Sequence, residues 1–182
     1  MPALLKALGP LDTSLPFERT AGDEVQGLMA SPAALTDLLE LVLRGEGWNV
    51  GLGFGAVEEP PPASVRAGRG AAYLRARSAV TAAKSSPWRL RVEGDLDDPR
   101  PRQLETVLWL WAGVLSRRSA KGWEVADLVM GGSTYEEVGR TLGITPSAVS
   151  QRAQAAGVAE GRRTRELVAQ LIADIFGGSS LP

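Results

Sequence analysis

Short polar side chains are concentrated between residues 145 and 154, where the sequence predicts one helix beginning at Thr145 and Pro146. A Thr hydroxyl caps a helix start, and Pro is tolerated in the first turn, where the backbone amide has no helical partner. The residues expected mainly on the outer side of this helix are Thr145, Ser147, Ala148, Ser150, Gln151 and Gln154, with Arg152 placed to contact a phosphate or to support the fold. A Gln amide can pair with adenine through two hydrogen bonds, and Ser and Thr hydroxyls suit base edges or phosphates. This pattern predicts contact with double-stranded DNA, with Ser147 and Gln151 as the best candidates for base contact.

A preceding short helix and a tight turn would hold these side chains in place. Ser133 or Thr134 can cap that first helix, and Glu136 or Glu137 suits the positive end of its dipole. Gly143 permits the left-handed dihedral angles that a turn between two helices requires. The residues spaced to form a small shared core are Leu142, Ile144 and Val149. With a further helix predicted over 121–130, the segment 123–157 contains the parts of a helix-turn-helix in order.

The nearly uncharged outer face decides between two interpretations of this segment. A plain helical hairpin packed against the rest of the chain would use the same caps, turn and aliphatic residues. A merely solvated helix is usually rich in Glu and Lys, so the polar, uncharged face favours DNA binding. Arg162 and Arg163 are further candidate DNA contacts, because residues 145–165 hold four arginines against the single acid Glu160. A solvated charge cluster is the alternative for these arginines.

The stretch EEVGRTLGITPSAVSQR, residues 136–152, closely resembles the helix-turn-helix of sigma-factor region 4 and of related bacterial regulators. The likeness extends over residues 123–157, with Gly139 at a position where Ala is commoner. This resemblance implies that the second helix of the motif reads DNA.

A second candidate set lies in the first half of the chain, which has the residue types for anion or metal binding. The sequence contains no His and no Cys, which excludes His-based acid–base catalysis and most transition-metal sites. Asp23 and Glu24 fall in a turn between strand-like segments at 16–21 and 25–30, while Arg75 and Arg77 fall in an Ala-rich helix over 69–84. These four residues could line a pocket for a nucleotide with Mg²⁺, the metal that oxygen ligands favour. The alternatives are a solvated turn and a structural pairing of Arg77 with one of the two acids.

Strand-like and helix-like segments alternate up to residue 94. After the hairpin, Ser31 and Pro32 open a helix, alternate glycines mark a strand over 48–57, and alternating side chains mark another over 88–94. The order β-β-α-β-α-β predicts an α+β, ferredoxin-like sandwich. Pro99 and Pro101 in the acidic segment 93–103 favour extended structure and predict a linker. We therefore divide the chain into domains 1–98 and 99–182, the second all-α, with helices expected over 103–118, over 121–130, in the motif itself and near the C-terminus.

Three segments of the first half, AGDEVQGL, WNVGLGFGAVEEP and GRGAAYLRARSAV, resemble the SatD family, whose proteins join such a domain to a C-terminal helix-turn-helix. The layout is also similar to the catalytic core of class III nucleotidyl cyclases and GGDEF proteins. In that pattern one carboxylate from a first strand and one from the hairpin hold two metal ions over a triphosphate. Asp23 takes the hairpin position, but the first strand is not visible. The resemblance thus implies a cyclase-like frame without its usual first strand, either in a truncated form or in a reorganised fold with a partner at the edge.

These observations favour a bacterial, cytoplasmic DNA-binding transcription regulator with an N-terminal sensing or dimerisation domain, rather than an enzyme. No apolar run is long enough to span a bilayer, so we expect no membrane partner. Two-fold operators usually require a homodimer, and Trp109 with Trp111, or the apolar face over 167–175, could supply its interface. Packing within the monomer is the alternative for both surfaces. The alternatives are a nucleotide-binding or nucleotidyl cyclase-like enzyme and a protein–protein interaction module.

Overall fold

A computed structural model describes residues 2–20, 22–45, 47–60 and 62–178, which form a mixed α/β structure rich in helix. In chain order the elements are α1 Pro2–Leu8, β1 Leu15–Arg19, β2 Val25–Leu28, α2 Pro32–Arg44, β3 Val50–Gly53, α3 Ala71–Ala83, β4 Leu90–Glu93, α4 Arg100–Leu115, α5 Ala120–Met130, α6 Tyr135–Leu142, α7 Pro146–Ala155 and α8 Val158–Gly178, with short 3₁₀ turns at Val65–Ala67 and Pro87–Arg89. Within the described ranges, no helix is both long enough and apolar enough to cross a bilayer.

The chain forms two compact units, and each is described by itself. The first comprises Met1–Trp109 with Val168–Pro182, and the second comprises Leu110–Leu167. The boundaries therefore fall inside α4 and α8. That the chain consists of two domains, 1–98 and 99–182, stays a prediction.

The strands of the first unit form two separate two-stranded sheets. β1 and β2 make an antiparallel hairpin, while β3 and β4 are parallel with α3 between them in sequence. The predicted order β-β-α-β-α-β is confirmed, and so is the mixed α/β class. The ferredoxin-like arrangement stays a prediction.

Two glycines of β3 let a helix backbone approach the strand directly. A Cβ atom added to Gly51 would lie 2.2 Å from the amide nitrogen of Val80, and one added to Gly53 would lie 2.2 Å from that of Ala76. Both clashing atoms belong to the α3 backbone, so α3 fills the space beside these two glycines. Helix α3 also contacts β4, because the Ser78 hydroxyl donates a hydrogen bond to the Glu93 carboxylate at 2.8 Å.

The linker predicted over 93–103 is wrong in its second half, because α4 begins at Arg100. Asp98 accepts a hydrogen bond from the Arg100 amide at 2.9 Å, and Pro101 sits in the first turn, where Pro costs no hydrogen bond. The pKa of Asp98 is lowered, mainly by the hydrogen bond from the Arg100 side chain. A proline pair that suggests extended structure is here the start of a capped helix.

Helix α4 covers the outer edge of β4. The buried carboxylate of Glu105 accepts from the Val92 amide at 2.9 Å, and the Trp109 indole donates to the Leu90 carbonyl at 3.0 Å. Backbone groups that would otherwise attract another strand are thereby satisfied.

The apolar surfaces expected to form a dimer interface are largely used within the chain. Trp111 is fully buried, and Trp109 is half-buried with its indole N–H bonded to Leu90. On α8, Ile172 and Ile175 are buried as well. The expectation that Trp111 and these isoleucines are available to a partner is wrong, because this chain's own core already covers them.

Candidate nucleic-acid interface

A reciprocal pair of hydrogen bonds fixes the start of α6. The Thr134 hydroxyl accepts from the Glu137 amide at 3.3 Å, and the Glu137 carboxylate accepts from the Thr134 amide at 2.8 Å. Both bonds satisfy amides that a helix start leaves without partners. The pKa of Glu137 is lowered, first by the Thr134 backbone amide and then by its hydroxyl. Of the two caps left open by the sequence, Thr134 is the one used.

A left-handed glycine and a close backbone crossing define the turn that follows. Gly143 has φ 66° and ψ 33°, as the sequence predicts. A Cβ atom at Gly139 would lie 2.8 Å from the Ile144 carbonyl oxygen, so a small residue is needed at this crossing. The second helix then begins as expected, with the Thr145 hydroxyl accepting from the Ala148 amide at 3.2 Å and Pro146 in the first turn.

One apolar cluster holds α5, α6 and α7 together. Its buried members are Val125, Ala126, Val138, Val149, Ala153, Ala156 and Val158. Leu142 and Ile144 pack against it while partly buried, which confirms their predicted place in the core of the motif. Small side chains dominate the cluster, so the three helices approach closely and their relative orientation is well defined.

The outer face of α7 presents the residues predicted to contact DNA. Thr145, Ser147, Ser150, Gln151 and Gln154 are exposed. In the same helix, the candidates Ala148 and Arg152 are half-buried. The face is polar and carries no acidic side chain, so it can approach the negatively charged surface of a nucleic acid.

Arg118 fastens the far end of α7 and was not singled out from the sequence. Its side chain is buried, its Nε donates to the Ala156 carbonyl at 2.9 Å, and its Nη2 donates to the Gly157 carbonyl at 3.3 Å. The guanidinium also lies 4.6 Å from the ring centroid of Trp123 in α5. A cation at a helix C-terminus is favoured by the helix dipole. One residue thereby joins α5 to the end of α7.

Arg140 is a second residue that sequence reasoning missed. It is exposed on α6 and lines an open groove of about 520 Å³ together with Glu136, Gly139, Ile144 and Pro146. The groove lies beside the start of α7, so Arg140 places one positive charge next to the polar face, and Glu136 is the one acid of the lining. The signal available in the sequence was an arginine one turn before the glycine of the turn.

The two arginines predicted beyond the motif lie on α8. Arg162 and Arg163 are both exposed, and Arg162 is 4.0 Å from the carboxylate of Glu166 one turn later. Exposed ion pairs at this spacing contribute little to stability, so the Arg162 side chain can exchange this partner for a phosphate.

The four candidate ligand residues of the first unit occupy different surroundings. Asp23 and Glu24 are exposed in the hairpin turn, and Arg77 is exposed on α3. Arg75 donates to the Phe54 carbonyl at 2.8 Å and pairs with Asp95 at 3.3 Å. Over the described ranges, no three acidic residues are grouped so that they could hold a metal ion.

Comparison with protein-family models, with curated proteins and with solved structures found no match for this chain.

Proposed function

We propose that this chain is a DNA-binding transcription regulator in which α7 enters the major groove of double-stranded DNA. The observation that carries the proposal is the exposed, uncharged polar face of α7, held at both ends and along its inner side. Thr145 caps its start, Arg118 binds two carbonyls just after its end, and Val149 is fully buried against the neighbouring helices. A helix that reads bases needs this combination, because its side chains must meet base edges from a fixed position.

The charge distribution around α7 supports the same proposal. Arg140 on one side and Arg162 and Arg163 beyond the other end would contact phosphates, while Ser147 and Gln151 would contact bases. Phosphate contacts fix the register of a protein on DNA, and base contacts supply its sequence preference.

The first unit is proposed as the regulatory part, of the SatD type and with a ferredoxin-like, cyclase-like frame. Nucleotide binding with Mg²⁺ at Asp23, Glu24, Arg75 and Arg77 belongs to this proposal. Calorimetric titration with common nucleotides and Mg²⁺ tests it, and an absence of heat at high nucleotide concentration would remove it.

Fluorescence anisotropy with labelled duplex DNA tests the DNA-binding proposal. Affinity should fall as salt rises from about 50 to about 200 mM, with a logarithmic slope of roughly −0.9 for each phosphate neutralised. Arg163→Ala should weaken binding to all sequences and reduce the slope by about one. Arg77→Ala, at an exposed arginine on α3, is the control for the loss of one positive charge.

Selection from a random duplex library would separate base contact from phosphate contact. Gln151→Ala should relax the preference at one base position, at a cost of about 1–3 kcal/mol for the preferred site. Gln103→Ala, at an exposed glutamine of α4, should leave the selected sequence unchanged. Binding that is insensitive to salt and to both Gln151→Ala and Arg163→Ala would refute the assignment of α7 and favour a protein-binding role.

Light scattering coupled to size exclusion tests the homodimer that a two-fold operator would require. We expect a dimer whose interface leaves the buried Trp111 in place, so Trp111 should show no change in accessibility on dissociation. A strict monomer at all concentrations would refute the dimer.

A further inference from the structure

A cavity in the first unit lies along the outer edge of β4, where α4 packs against the strand. Its volume is about 440 Å³, which falls within the range of small-molecule pockets. The residues that line it are Arg91, Val92, Arg102, Glu105, Thr106 and Trp109. None of them belongs to the DNA-reading face or to the four candidate ligand residues of the sequence analysis.

The charges around this cavity are unbalanced. Arg91 and Arg102 are both positive, and Glu105 is the one acid in its lining. Both carboxylate oxygens of Glu105 are already engaged, one by the Arg91 guanidinium at 3.2 Å and the other by the Val92 amide at 2.9 Å. Glu105 offsets one of the two positive charges, so a net positive charge remains. An anion bound here would neutralise it.

The geometry leaves donors available on both arginines. The Arg91 side chain is 41% exposed although its Nη1 is held by Glu105 and its Nε is buried, so only part of the guanidinium can be reached by a ligand. Arg102 is exposed in the first turn of α4, near the helix N-terminus that also favours negative charge. Thr106 lies one turn after Arg102 and donates its hydroxyl to the Arg102 carbonyl at 3.0 Å, so the donors for an oxyanion in this cavity come from the two arginines.

The remaining wall of the cavity is aromatic. The Trp109 side chain is half-buried, and its one polar atom donates to the Leu90 carbonyl at 3.0 Å. What Trp109 offers a ligand is therefore the apolar surface of its ring, which suits a flat or aliphatic group rather than a second charge.

We propose that this cavity binds a small organic oxyanion, whose carboxylate or phosphate lies between Arg91 and Arg102 and whose apolar part lies on Trp109. Guanidinium groups recognise both kinds of oxyanion through paired hydrogen bonds. This proposal does not depend on DNA binding, because every lining residue belongs to the first unit.

The indole N–H resonance of Trp109 in an ¹⁵N-labelled full-length protein is a local probe, and Trp109→Phe assigns it. Phenyl phosphate and benzoate serve as ligands, and inorganic phosphate as the oxyanion without an apolar part. We expect a saturable shift of this resonance with phenyl phosphate or benzoate, with an affinity near the millimolar range expected of fragments, and weaker binding of inorganic phosphate. The organic oxyanion that binds more tightly identifies the preferred headgroup.

Substitution of Arg102 provides the decisive comparison. Arg102→Gln should weaken binding about tenfold or more, because it removes one of the two charge-assisted partners. Arg69→Gln changes the same charge at an exposed position of the first unit outside the cavity and should leave binding unchanged. Arg91→Lys keeps the charge opposite Glu105 but removes the planar donor pair, and it should weaken binding with the fold retained. A shift that does not saturate with either organic ligand, or an equal affinity in Arg102→Gln and the unaltered protein, would overturn the proposal.

Discussion

Replacement of Arg118 by Ala should destabilise the second unit more than any other single change at a charged residue there. The side chain is buried and donates to two backbone carbonyls at 2.9 and 3.3 Å, and its guanidinium lies 4.6 Å from the Trp123 ring. A hydrogen bond from a charged donor contributes about 1.5–3 kcal/mol, and the longer of these two falls at the low end. A partly desolvated cation–π contact adds roughly 0.5–2 kcal/mol. Because such contributions are not additive, we expect a loss of about 3 kcal/mol in the free energy of unfolding.

Urea denaturation followed by circular dichroism measures this loss, with Arg117→Ala as the matched control. Arg117 is the neighbouring residue, carries the same charge and is exposed, although its Nε also donates to a backbone carbonyl at 3.0 Å. Replacement of Arg117 by Ala should lower the free energy of unfolding by less than about 1 kcal/mol, as for most substitutions at the surface. Arg118→Lys should lie between the two, since an ammonium keeps the charge but cannot span both carbonyls. Equal midpoints for Arg118→Ala and Arg117→Ala would refute the role assigned to Arg118 at the end of α7.

Three further outcomes follow from particular contacts. Gly53→Ala should lower the free energy of unfolding by about 3 kcal/mol or more, because the new methyl group would meet the α3 backbone at 2.2 Å. In the same urea titration, Gly45→Ala should unfold like the unaltered protein, because the nearest atom to its new methyl group would lie at 3.7 Å. Thr134→Ala should cost about 1 kcal/mol through loss of the cap, and thermal unfolding that matches the unaltered protein would contradict the capping role. The lowered pKa of Glu137 means that its stabilising effect is present above its ordinary pKa and is lost as pH falls through the folded-state pKa. The stability difference between the unaltered protein and Glu137→Gln should therefore shrink on acidification, and a difference that stays constant over the pH series would contradict this role of Glu137.

Much of the motif formed by α6, the turn and α7 could be predicted because its signals are local. A cap at Thr134, a glycine at 143 and a Thr145-Pro146 start each act on the backbone within a few residues, and the structure contains all three. The exposed polar face of α7 follows from helical periodicity once Val149 is assigned to the core. The role of Arg118 could not be predicted from the sequence, because its partners Ala156 and Gly157 are 38 and 39 positions away in the chain.

In the first unit, the sequence predicts the order of the elements but not how they pack together. The order of strands and helices was predicted from alternation and glycine placement, and it is confirmed. The pairing of strands depends on contacts between distant segments, and only the structure shows that β1 pairs with β2 and β3 with β4. The linker predicted at Pro99 and Pro101 is wrong for a related reason, because proline is compatible with both an extended segment and a first helical turn. The hydrogen bond from the Arg100 amide to Asp98 favours the helical turn here.

By itself, then, the sequence determined the order of strands and helices after α1, how α6 and α7 are capped and turned, and which residues line the outer face of α7. These features depend on dihedral preferences and periodicity, which neighbouring residues fix. Tertiary structure alone decided what fills the space beside Gly51 and Gly53, how Trp111 is buried, and that Arg91 of a strand and Arg102 of a helix share one cavity. Those outcomes depend on which distant segments pack together, and no local pattern along the chain encodes that choice.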